Sequence, residues 1–124
     1  MKKLLTVLVL GAASLILDTV HAHGTAKPEH GGVVQMVGET AFELVALADG
    51  AEVYLSEEGE ALASDGMSGK LTITIDGAKS EAVLTPAGGN KLAAKSVKIA
   101  SGAKVSVMVM RNDQSKLAAT FTIK

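Results

Sequence analysis

The chain has 124 residues, 12 Lys and Arg against 13 Asp and Glu, no Cys and no Trp. Near-neutral charge without a basic block excludes a nucleic-acid or anionic-membrane surface, and the absence of Cys excludes disulfides, thiolate metal centres and a thiol nucleophile. Phe42, Phe121 and Tyr54 are the whole set of large aromatics, too few for a base-stacking platform.

The N-terminus has the form of a secretory signal. Lys2 and Lys3 precede an apolar run from Leu4 to Leu17, followed by a polar stretch ending in Val20-His21-Ala22. The run is short for a membrane span and has the right flanks for export, so residues 1–22 are expected to be removed and the mature protein to be periplasmic. Cleavage after Ala22 makes His23 the first mature residue; cleavage after Ala26 is the alternative and deletes it. The mature chain carries 10 basic and 12 acidic side chains, a net charge near −2.

Residues 23–32 (HGTAKPEHGG) are polar, rich in Gly and without periodicity, which predicts a flexible arm that adds almost nothing to a core. From Val33 to Lys124 the pattern changes to short apolar–polar alternations, most of them separated by turn signals such as Asp49-Gly50, Glu58-Gly59 and Asp76-Gly77. Strands are expected over 33–37, 40–48, 51–56, 69–76, 81–85, 91–99, 103–111 and 116–124. In 69–76, Leu71, Ile73 and Ile75 share one face. In 103–111, Val105, Val107 and Val109 share one face, and Leu117, Ala119, Phe121 and Ile123 do so in 116–124. The segment 91–99 also has helix-favouring residues, but its neighbours and length favour a strand. Seven or eight such strands imply an all-β antiparallel domain over residues 33–124, read as a two-sheet sandwich of immunoglobulin type, with a small closed barrel as the alternative.

His23 and His30 are the only histidines of the expected mature chain. The α-amine and Nδ1 of an N-terminal His close a six-membered chelate ring, and a second imidazole adds a third nitrogen, a donor set that suits Cu(II) or Ni(II). Copper is the expected metal, with zinc or nickel as alternatives. Either Glu29 or Glu43 can supply an oxygen ligand; against this, Glu29 reads as a solvated arm residue and Glu43 as a residue on a wet sheet face. Met108 and Met110 share a strand face, which reads either as core packing or as a thioether site for Cu(I) with Met36 or Met67. Catalysis has no support: no Gly-x-Ser-x-Gly elbow and no phosphate loop occur, and the Glu57, Glu58, Glu60 cluster reads as a solvated turn.

The order His30-Gly31-Gly32, Phe42-Glu43-Leu44-Val45, Val53-Tyr54-Leu55 and Glu58-Gly59-Glu60-Ala61-Leu62 resembles the N-terminal β-sandwich region of periplasmic adaptor subunits of heavy-metal efflux systems and of small stand-alone periplasmic proteins. The resemblance spans about a third of the mature chain. It implies a metal-export context, an efflux component as partner and a histidine-bearing start that handles metal. The chain departs from those adaptors in having one His-Gly-Gly instead of a His-rich run and no long helical hairpin. The expectation is therefore a non-enzymatic metal-binding accessory protein. The competing reading is a non-catalytic interaction module that binds no metal.

Overall fold

The computed structural model describes residues 26–124. The expected signal segment and His23 lie outside the described residues. Among the described residues every regular element is a strand, in the order β1 (Val33–Val37), β2 (Thr40–Leu47), β3 (Gly50–Glu57), β4 (Glu60–Ala61), β5 (Ser68–Ile75), β6 (Ala78–Pro86), β7 (Lys91–Lys95), β8 (Lys104–Met110) and β9 (Lys116–Thr122). All pairings are antiparallel.

Two of the hairpins follow directly from their turn residues. Asp76 and Gly77 both have positive φ, 51° and 83°, as do Glu58 and Gly59 at 52° and 85°. Two consecutive left-handed residues make the turn whose twist matches that of the flanking strands, so Ile75 pairs with Ala78 and Glu57 with Glu60.

The strands follow one hydrogen-bonded path, β1-β2-β3-β7-β6-β5-β8-β9, with β4 added to the end of β3. Strand β6 turns the corner. Its residues Ala78 to Leu84 pair with β5, and Thr85 and Pro86 pair with β7. The two ends of the path, β1 and β9, approach each other, so the sheet is nearly closed as a barrel. The all-β antiparallel expectation is met. The strand path is that of the barrel alternative, because β6 carries hydrogen bonding continuously from one half to the other.

The interior is aliphatic with two rings. Phe42 and Phe121 are completely buried, together with Val53, Leu55, Leu71, Leu84, Leu92 and the β8 triad Val105, Val107 and Val109. These are the inward positions of the period-two alternation. Met108 and Met110 differ from the core-packing reading. They take the opposite face of β8 from the valines and are 41% and 37% exposed. The segment 91–99 is strand only as far as Lys95; the chain then turns at Ser96, whose φ is 59°.

Candidate functional site

The outer face of β2 and β3 should be wet by alternation, and at its centre it is not. Register sets Val34 beside Glu43, Glu43 beside Tyr54 and Tyr54 beside Lys91, a row across β1, β2, β3 and β7. Residues 29–32 fold over this row. Glu43 is consequently 6% exposed although its side chain leaves the barrel outward. The wet-face reading of Glu43 fails because a segment 11 to 14 residues upstream covers it.

A buried carboxylate needs donors, and the covering segment supplies them. Oε2 accepts the backbone N–H groups of His30 and Gly32, each at 2.8 Å. Oε1 accepts the Glu29 N–H at 3.1 Å and meets His30 Nδ1 at 2.9 Å. Burial pushes the Glu43 carboxyl up, but the bonds from the His30 ring and from the Gly32, His30 and Glu29 amides outweigh it and hold the group below its ordinary value. The stretch expected as a free arm is thus fastened at residues 29–32 through one side chain.

The His30 ring lies flat on Tyr54, with centroids 3.5 Å apart and planes 6° from parallel. Tyr54 is held in turn. Its hydroxyl donates to Glu52 Oε1 at 3.0 Å, and Lys91 Nζ binds the other Glu52 oxygen at 3.1 Å. Burial and the bond to Glu52 both push the Tyr54 hydroxyl up, so it remains a neutral donor. The imidazole therefore has two constraints, Glu43 at Nδ1 and the Tyr54 face beneath it. A carboxylate at Nδ1 favours the tautomer with its proton there, which leaves the Nε2 lone pair available.

The sequence-derived donors separate into three groups. His30 and Glu43 are brought into direct contact. Glu43, with both oxygens occupied by donors, fits a residue that orients His30 better than one that ligates an ion itself. His23 lies outside the described residues. Among the described residues no cluster of three or more His, Cys, Asp or Glu side chains could hold a metal ion, so His30 needs donors of another kind or from elsewhere in the chain. Tyr54, Glu52, Lys91 and Gly32 were not singled out as site residues from the sequence. Period two along β3 sets Glu52 and Tyr54 on the face opposite buried Val53 and Leu55, but nothing local in the sequence marks what covers that face.

Gly32 is fixed by space. A Cβ there would fall on the backbone carbonyl of Leu44 and on a Val45 methyl. Gly32→Ala is expected to lift the covering segment from Glu43 and to destabilise the protein by about 1–3 kcal/mol. Chemical denaturation checks the loss, and amide exchange at residues 30 and 32 checks its origin. An unchanged midpoint with protected amides would show that the segment shifts without penalty.

Beside His30 lies a groove of about 680 Å³, lined by the arm, by the outer faces of β1, β2 and β3, including Met36, Ala41 and Tyr54, and by turn residues such as Glu39 and Glu58. Comparison of the chain with protein-family models, curated proteins and solved structures finds no match.

Proposed function

We propose that this chain is an exported, periplasmic metal-binding accessory protein that handles copper, with zinc or nickel as alternatives, in the service of a metal-efflux system. The observation that carries the reading is the treatment of His30. Its Nδ1 is engaged by a buried carboxylate, its ring is seated on Tyr54, and its side chain is 37% exposed beside a groove. Histidines that ligate metals are commonly oriented by such a carboxylate, which fixes the ring and its tautomer. In this reading His30 supplies one nitrogen and the His23 amine and imidazole supply two more. Seven residues from His23 to His30 allow a span of up to about 25 Å when extended, and a bent chain can bring both imidazoles to one ion.

The test is Cu(II) titration of mature protein whose N-terminus has been verified by intact mass. One bound ion with several nitrogen donors in the paramagnetic resonance spectrum is expected. Binding should weaken as the pH falls, because protons compete for the same amine and imidazole nitrogens. One residue added before His23 should weaken binding as much as His23→Ala, since it removes the amine from the chelate ring. Spectra unchanged by that addition would remove the chelate. Spectra unchanged by His30→Ala would remove His30.

A second reading, an interaction module without metal, is favoured by a different face. Val83, Lys70, Met108 and Ala118 form a row across β6, β5, β8 and β9, and Val83 is 69% exposed. A protein that shows no metal response at either histidine would be assigned to this class.

A further inference from the structure

We propose that Met36 and His30 form a soft-metal pair on the arm-covered face, which takes Cu(I) through the Met36 thioether sulfur and His30 Nε2. The inference rests on the reading of His30 as a metal donor and adds a second donor and an oxidation state to it.

Position comes first. Met36 faces Ala41 across β1 and β2, two residues along β1 from Val34, which faces Glu43. Period two places Met36 and Val34 on the same side of the sheet, so Met36 occupies the position diagonal to Glu43. Diagonal neighbours lie about 7–8 Å apart, within reach of long side chains. His30 is fastened on Glu43, and the His30 and Met36 side chains border the same groove. The residue opposite Met36 is an alanine, too small to cover a thioether.

The other described methionines are elsewhere. Met67 is buried in the core, and Met108 and Met110 lie on the outer face of β8, in the half of the barrel beyond β6. Met36 is therefore the one methionine among the described residues that borders the groove.

The chemistry then selects the ion. Glu43 has given its oxygens to four donors. Of the residues that border the groove, which also include the carboxylates of Glu29, Glu39 and Glu58, His30 is the one imidazole and Met36 the one thioether. Thioether sulfur is a poor partner for hard ions and a good one for Cu(I). One nitrogen and one sulfur satisfy a filled-shell monovalent ion that accepts two donors, whereas Cu(II) needs more nitrogens, which His23 supplies in the reading above. His30 is the donor common to both states. No electron transfer is part of the proposal.

The experiment uses the full mature chain with Ag(I), a redox-inert stand-in for Cu(I), and follows the methionine methyl signals by NMR. The Met36 methyl should shift on addition of one equivalent, with Met67, Met108 and Met110 unmoved. In anaerobic competition against a chromophoric Cu(I) chelator, Met36→Leu should weaken Cu(I) binding at least tenfold and leave the Cu(II) spectrum unchanged. His30→Ala should weaken both ions, and Met108→Leu neither. A Met36 methyl that does not move, or a Met36→Leu protein that holds Cu(I) as tightly as the parent, overturns the pair while the Cu(II) reading stands. His30→Ala without effect on either ion overturns the reading beneath it.

Discussion

Replacing Phe121 with alanine is expected to destabilise the protein by roughly 3–5 kcal/mol, the largest effect of any single truncation considered. The chain contains only two phenylalanines, and both are fully buried. With so few rings, the remainder of the core is aliphatic and cannot refill a phenyl-sized hole. Position sharpens the expectation. Phe121 lies on β9, the last strand of the path, whose one hydrogen-bonded neighbour is β8. It pairs with Val105, and its ring is the largest of the inward side chains at this edge, beside buried Ala119 and the partly buried Leu117 and Ile123. For a domain of about 100 residues this loss corresponds to a fall in melting temperature of roughly 12 °C or more. Val83→Ser, at a position of high exposure, should change stability by no more than about 0.5 kcal/mol. Urea denaturation of the two variants decides the matter; a Phe121→Ala loss below 1 kcal/mol would mean that β9 is held by its ladder and not by the ring.

That prediction could be framed from the sequence because period two is a local signal. Val105, Val107 and Val109 announce an inward face within seven residues, and Asp76-Gly77 announces a hairpin within two. The pairings that close the sheet are different. β3 meets β7 and β6 crosses from β5 to β7 between segments whose own patterns carry no record of the partner. Met108 and Met110 show the limit of composition: two apolar residues on the second face of a strand look like a covered face, yet that face of β8 is open. The site shows a further limit. His30 and Glu43 were both visible as candidate donors, but their contact was not, because Gly31-Gly32 reads as flexibility. In the folded chain Gly32 serves close approach to Leu44, and the absent side chain lets the segment lie against β2. Tyr54 was legible as an outward strand residue and became part of the site only when that segment was in place.

Glu43→Gln is expected to release the covering segment and to lower stability by about 2–3 kcal/mol. Bonds to a charged acceptor contribute about 1.5–3 kcal/mol each, but the four at Glu43 share one side chain, and a segment that peels away regains water at its amides. The total is therefore far below the sum. Glutamine keeps the size of the side chain and replaces one acceptor oxygen by an NH₂ donor, which then confronts the donors that Glu43 satisfied. The pH dependence separates this mechanism from simple loss of packing. Glu43 is held below its ordinary value of 4.5, so the folded state binds its proton less readily than the unfolded state. That difference stabilises the protein above the ordinary value and disappears as the pH falls through the depressed one. The parent should lose this increment on acidification, while Glu43→Gln, already without it, should decline less over the same window. Amides of His30 and Gly32 should exchange slowly in the parent at neutral pH and rapidly in the variant. Deleting residues 23–32 should cost about as much as Glu43→Gln, since each removes the same set of bonds. A deletion as stable as the parent, with equal acid profiles for parent and variant, would show that the segment rests on the sheet without stabilising it.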